Sequence, residues 1–280
     1  MFTRILHASI AVRSLEQALP FYRDVLGLPV AEEAALADQG VRAALLLMQD
    51  GEIELLQPVD PGGGVARFLA RRGEGLHHLC FETRDISAAL AQARAAGLRL
   101  IDQSPRPGLA GLIAFLHPTA SHGVLVELAQ PLRPPPHPAP RIAGIQAVGL
   151  ATVYVAVNDL ELAAATYIRN FHGDVGAVRD HPHFRGKQAT VSIGSSRITL
   201  LSSAERVSPV GCFLADRGEG LFGVCLRVTD LDAALRRLEA ADVPTEVHRK
   251  VASAPLVRVD PAQANGVNLL LCVGGSDALP

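Results

Sequence analysis

"RGEGLHHLCFE" runs from Arg72 to Glu82, and "RGEGLFGVCLR" runs from Arg217 to Arg227. The two are 145 residues apart (217 − 72), and the second lacks both histidines of the first. A long-period repeat is read before any local pattern, because each copy must fold as a unit. The same offset joins "VRSLEQA" (Val12–Ala18) to "VNDLELA" (Val157–Ala163), and "RDISAAL" (Arg84–Leu90) to "TDLDAAL" (Thr229–Leu235). "GVLVEL" (Gly123–Leu128) returns loosely as "GVNLLL" (Gly266–Leu271), 143 residues on (266 − 123). The chain of 280 residues, long enough for two domains, therefore carries one domain twice.

Between the copies lies "PLRPPPHPAPR", Pro131–Arg141. Its proline density forbids helix interior and central strand and favours an extended spacer. The expected organisation is a first domain over 1–130, a linker over 131–141 and a second domain over 142–280. His137 in the linker is not a ligand candidate.

A weaker repeat runs inside each copy. "HASIAVRSLEQAL" starts at His7 and "HLCFETRDISAAL" at His78, 71 residues later (78 − 7). Each reads as a half-buried strand followed by a helix. Ser14 and Asp85 are N-cap residues, and Ser14 with Gln17 fits a capping box. Gly27 and Gly97 stand where helix C-caps belong. Pro20 falls inside the first helix and predicts an irregularity there, since it removes a backbone donor. Further strands follow in "VRAALLLM", "GEIELLQP", "LIAFLHP" and "GVLVELAQP". The unit is thus β-α-β-β-β, used four times. The fold class is α+β: two tandem domains, each a curved, mostly antiparallel sheet with helices outside.

Composition excludes several functions. Hydrophobic residues make up 49% and charged residues 19%, as a packed core requires, and the net charge is −2. No basic surplus points to nucleic acid, and no apolar run reaches membrane-spanning length. The start, "MFTRILHASIAV", has no long apolar run followed by a small-residue cleavage site, so the expectation is a cytoplasmic protein. The four cysteines (Cys80, Cys212, Cys225, Cys272) form no CxxC pair and read as buried, reduced thiols. Aromatic residues are only 4%, which argues against a base-stacking platform.

The internal repeat pairs His7 with His78, each at the start of a first strand. It also pairs Glu54 with Glu127, each in a last strand. Two units related by a local twofold would bring these four side chains to one centre. Buried carboxylates in an apolar sheet are costly unless they are matched. Two imidazoles with two carboxylates make a site for a divalent cation such as Co, Mn, Ni, Fe or Zn. His77 points to the opposite side of its strand from His78 and is expected outward or packed locally. Carried into the second copy, the four positions become Thr152, Thr199, Gly223 and Leu270, so that copy is expected to hold no metal there. "DHPHFRGK" (Asp180–Lys187), with His181 and His183, reads as a polar hairpin.

The first domain resembles the methylmalonyl-CoA epimerases of the vicinal oxygen chelate (glyoxalase/bleomycin resistance/extradiol dioxygenase) superfamily. The matching pieces are "SLEQALPFYRDVLGLPV", "DQGVRAALL", "IELLQPVDP", "VARFLARRGEGLHHL", "GLRLIDQSPRPG", "IAFLHP" and "GVLVEL". The resemblance places the metal ligands on His7, Glu54, His78 and Glu127, and makes Glu127 and Glu54 the catalytic candidates. It implies a small-molecule substrate, an acyl-CoA of the methylmalonyl type, epimerised through an enolate. It also implies a monomer or homodimer without nucleic acid or membrane.

The sequence departs from that family at Ala43, where a glutamate can serve as base. It departs again at Leu112 and Thr119, where an arginine and a lysine are usual. Gln39 and Glu52 are candidate replacements for proton handling, each read first as a loop or surface residue. Alternatives are an extradiol or 4-hydroxyphenylpyruvate-type Fe(II) dioxygenase, a glyoxalase-like lyase, or a non-catalytic small-molecule binding protein. The dioxygenase would use His7, His78 and Glu127. Against it, Glu54 would occupy a position that oxygen needs, and those enzymes usually keep the second copy active.

Overall fold

The computed structural model describes residues 2–132, 142–181, 183–248 and 255–274. Most of the linker, with His137, lies outside the described residues.

The first half supplies one eight-stranded sheet. Its strands are β1 (Phe2–Ala11), β2 (Val30–Leu36), β3 (Val41–Leu47), β4 (Glu52–Pro58), β5 (Gly75–Thr83), β6 (Arg106–Gly108), β7 (Gly111–Leu116) and β8 (Leu125–Gln130), in the order β2-β3-β4-β1-β5-β8-β7-β6. The second half repeats it with β9 (Ala147–Ala156), β10 (Asp174–Val175), β11 (Arg179–His181), β12 (Gly186–Ile193), β13 (Ser196–Ser202), β14 (Gly220–Val228), β15 (Thr245–His248), β16 (Leu256–Val259) and β17 (Asn268–Cys272). The hairpin pairs are antiparallel, while β1–β4, β5–β8, β13–β9 and β14–β17 are parallel. These are the curved sheets with helices outside that the four-fold β-α-β-β-β pattern predicts.

The helices confirm the local signals. Helix α1 (Leu15–Leu19) starts at Ser14, whose side chain accepts from the Gln17 N–H at 3.3 Å. At Pro20 it becomes a π-helix, Pro20–Val25, closed by a Leu26 N–H to Phe21 carbonyl bond of 3.0 Å. Proline has no N–H to offer the regular ladder. The second copy is the control: Ala165 stands 145 residues after Pro20, and α4 (Leu160–Phe171) is a regular α-helix throughout. Asp85 caps α3 (Ile86–Ala95) by accepting from the Ala88 N–H at 2.9 Å, and Asp230 does the same for α6 (Leu231–Ala240). Each half also contains a helix before its "RGEGL" that the four-unit pattern does not include, α2 (Gly64–Arg72) and α5 (Pro209–Arg217). Gly73 and Gly218 end these helices at φ near +70°, a conformation that favours glycine.

By compactness the chain divides into two units that cut across the linear halves. One comprises Met1–Leu6, His78–Pro134 and Thr152–Phe222, and the other His7–His77, Pro135–Ala151 and Gly223–Pro280. In the second unit, the Glu74 carboxylate accepts from the Arg13 N–H at 2.6 Å and from Asn265 Nδ2 at 3.2 Å. Tyr22 donates to the Ala264 carbonyl at 3.0 Å. In the first unit, Glu219 accepts from the Asn158 N–H at 2.8 Å and lies 2.9 Å from His122 Nδ1, while Tyr167 donates to the Ser121 carbonyl at 3.3 Å. The partners correspond by the repeat. A Cβ on Gly123 would collide with the Glu219 carbonyl, and one on Gly266 with that of Glu74. The letters "RGEGL" therefore recur for a structural reason. Their glutamate ties a segment before the linker to one after it, in each unit.

Candidate metal centre

In one unit, β1 runs parallel to β4 with His7 beside Glu52 and Ser9 beside Glu54. Alternate residues of a strand share a face, so these four side chains point the same way. His7 is 1% exposed and Glu54 5%. His7 Nε2 lies 3.6 Å from Glu54 Oε2, and its Nδ1 lies 3.9 Å from Glu52 Oε2. Ser9 donates its hydroxyl to Glu54 Oε2 at 2.5 Å.

The other unit repeats the arrangement on β5 and β8. His78 stands beside Leu125 and Cys80 beside Glu127. His78 Nε2 lies 2.9 Å from Glu127 Oε2, and the Cys80 thiol donates to Glu127 Oε1 at 3.7 Å. Burial pushes the His78 imidazole down to about 3, so it is neutral near pH 7 and its lone pair can serve a metal. Its ring packs edge-on against Phe115 at 5.2 Å.

Each unit by itself offers an imidazole beside a buried carboxylate: His7 with Glu54 in one, His78 with Glu127 in the other. The donor set fits a borderline divalent cation of the imidazole-plus-carboxylate type. Two donors each about 2.1 Å from one ion, at a right angle, are about 3.0 Å apart. His78 and Glu127 at 2.9 Å, and His7 and Glu54 at 3.6 Å, are each near enough to hold one cation together.

Two residues, Glu52 and Cys212, were misread from the sequence. Glu52 is a buried strand residue, 7% exposed, not a loop or surface group. The parallel pairing of β1 with β4, which no local pattern encodes, carries it next to His7. Cys80 is a buried, reduced thiol, as expected, and it faces the Glu127 carboxylate. Cys212, on α5 where only Val210 and Gly211 are buried, is exposed, against the expectation of burial. Ser9 was missed altogether. The available signal was its position two residues after His7, matching Cys80 two after His78.

The other candidates fall as follows. His77 is half-buried and packs edge-on against Phe68 at 5.0 Å, as a locally packed residue. Ala43 is fully buried on β3, and Leu112 lies on β7 beside Gln130. Thr119 sits in a 3-10 turn with its hydroxyl 3.0 Å from His117 Nδ1. Gln39 lies in the turn between β2 and β3.

At the second-copy positions, the Thr152 and Thr199 hydroxyls bond each other at 2.9 Å. A Cβ on Gly223 would meet the Asn268 carbonyl at 2.5 Å, so no histidine fits there without moving β17. Leu270 lies in the apolar β17. "DHPHFRGK" is a hairpin as read, but its His181 is buried.

The chain belongs to the glyoxalase/bleomycin resistance protein/dioxygenase superfamily, whose family model matches residues 6–116. Its first half is homologous to methylmalonyl-CoA epimerases. The mitochondrial methylmalonyl-CoA epimerase of Mus musculus is 37% identical over 129 residues, covering 45% of this chain and 72% of that protein. The ethylmalonyl-CoA/methylmalonyl-CoA epimerase of Cereibacter sphaeroides is 38% identical over 133 residues, covering 46% of this chain and 99% of that protein. Over the whole chain, a mutant 4-hydroxymandelate synthase from Streptomyces coelicolor has the same fold, with a TM-score of 0.72 at 18% identity over 99% of this chain and 97% of that one. No helix among the described residues is long and apolar enough to cross a membrane.

Proposed function

We propose that the first half is a metal-dependent epimerase acting at the acidic carbon of a methylmalonyl-CoA-like acyl thioester. In this reading His7, Glu54, His78 and Glu127 hold the metal. The observation that carries it is the pair of matching half-sites, a strand histidine with a buried carboxylate at 3.6 Å and at 2.9 Å. Homology of this half to epimerases supports the substrate class.

A bound divalent ion supplies Lewis acidity for an enolate formed between two carbonyls. The protein's own part is binding, orientation and proton transfer. Inversion needs a proton removed on one face and returned on the other. With Ala43 in place of a glutamate, the two half-sites supply the carboxylates. Glu127 can take the proton at an oxygen beside His78, and the Cys80 thiol orients its other oxygen. Glu54 is held by Ser9 and stands as its counterpart in the other half-site. Burial of all four ligands excludes bulk water, which strengthens each electrostatic contact. With Leu112 and Thr119 at the cation positions, recognition rests on the acyl group more than on phosphate contacts.

The test is metal-dependent deuterium uptake by methylmalonyl-CoA in heavy water, with metal content measured beside it in wild type and in His78→Ala. Exchange by the loaded wild type, with metal and exchange both lost in a folded variant, is expected. No exchange would remove the substrate class, and unchanged metal content in the variant would remove the ligand set. A second reading is a Fe(II) dioxygenase. Its two-histidine, one-carboxylate donor set would be His7, His78 and Glu127, with Glu54 counting against it as a fourth ligand. Oxygen uptake with a catechol on Fe(II)-loaded protein would select it.

A further inference from the structure

We infer that the second copy, which lacks the metal ligands, carries a small-molecule site built on Gln188 and His181 that takes a neutral, planar carboxamide. Gln188 lies on β12 with no exposed surface, and neither its Oε1 nor its Nε2 has a hydrogen-bond partner. His181 is 3% exposed. Its Nδ1 accepts the backbone N–H groups of His183 at 3.1 Å and Phe184 at 3.2 Å. A neutral imidazole that accepts at Nδ1 carries its proton on Nε2, and that Nε2 has no partner. Burial, with His183 as a smaller cause, pushes the His181 imidazole down to about 3, so the ring is neutral.

The register brings these groups together. Antiparallel β11 and β12 set Arg179 opposite Gln188 and His181 opposite Gly186, so His181 and Gln188 share a face one diagonal step apart. The β12–β13 register puts Thr190 opposite Thr199, and Thr199 lies beside Tyr154 on β9. Gln188 therefore faces the side where the first copy keeps its carboxylate Glu54, since Thr199 occupies the Glu54 position. The aromatic rings of Tyr154 and Phe184 lie 5.7 Å and 4.5 Å from the His181 ring, the latter stacked.

Gln188 corresponds to Ala43, 145 residues earlier, so the amide is particular to the copy without metal ligands. A site given up for packing alone would be filled with apolar side chains. Burying an amide and an imidazole N–H unmatched is costly, and apolar residues of similar size would avoid that cost. The unmatched groups comprise donors from His181 and Gln188 and an acceptor from Gln188. A carboxamide answers both roles, its carbonyl accepting and its NH₂ donating, while an attached ring suits Tyr154 and Phe184. A carboxylate has no donor for Gln188 Oε1. Among the described residues, the three-residue β11 pairs with β12 at the margin of the sheet path.

The probe is benzamide, titrated into the full chain by saturation-transfer NMR and thermal shift, with benzoate and ethylbenzene as comparators. Benzamide is expected to bind wild type in competition with acetamide, and at least about tenfold more weakly to Gln188→Leu, the loss of one well-made hydrogen bond. His181→Phe serves as the second variant, with a similar loss expected, should Gln188→Leu fail to fold. Absence of benzamide binding to wild type overturns the inference. So does equal binding by the variants, tighter binding of benzoate, or equal binding of ethylbenzene. In those cases the polar groups serve buried water, a carboxylate or an apolar void.

Discussion

Replacing Ser9 by alanine removes the hydroxyl that donates to Glu54 Oε2 at 2.5 Å from a fully buried position. A hydrogen bond to a charged group contributes about 1.5–3 kcal/mol, and its loss leaves a buried carboxylate oxygen short of a donor. The expected cost to the metal-free protein is about 2 kcal/mol. That is a fall of about 3–4 °C in Tm for a chain of this size. Its counterpart by the internal repeat supplies the control. Cys80 donates to Glu127 through a thiol at 3.7 Å, a weak bond, and Cys80→Ala costs mainly packing against Leu6, Ile113 and Phe115. The two variants therefore separate most clearly in metal affinity. Ser9→Ala should weaken it by about 10–100-fold, as loss of a ligand's outer hydrogen bond does, and Cys80→Ala by much less. Competition with a chromophoric chelator measures the affinity and a thermal melt in chelator measures the rest. Equal affinities for the two variants, or an unchanged Ser9→Ala, would refute the view that Ser9 orients a ligand carboxylate.

Two further outcomes follow from the geometry. Because the His181 imidazole is held down at about 3 in the fold against about 6.5 unfolded, the unfolded chain binds more protons in between, and stability falls as pH drops below about 6.5. At pH 5 this one group costs about 2 kcal/mol relative to pH 8. Denaturant melts of His181→Phe should lose that share of the slope, while His78, shifted in the same direction, keeps its own. In the clasp, His122→Asn reproduces the Asn265–Glu74 pair of the other unit at a residue whose φ is +52°, so its Tm should stay within a few degrees of wild type. Glu219→Ala abandons both Asn158 and His122 and should cost about 1–3 kcal/mol.

Much of this was written in local order along the chain. The 145-residue offset, the capping residues Ser14 and Asp85 and the proline at 20 determined the repeat, the helix starts and the one irregular helix, because each acts within a turn or two of itself. The strand alternation and the internal repeat likewise singled out His7, His78, Glu54 and Glu127. Pairing between distant strands decided the rest. Glu52 reads as a surface residue until β1 lies parallel to β4, and Ser9 and Cys80 become carboxylate donors only through the same kind of register. His181 reads as part of an ordinary hairpin, and nothing local marks Gln188, until burial strips both of water. The returning "RGEGL" marked two equivalent strands in sequence. Only the tertiary structure showed why its glutamate stays when the histidines go: the clasp joins segments on either side of the linker, and such a contact has no signature in local periodicity.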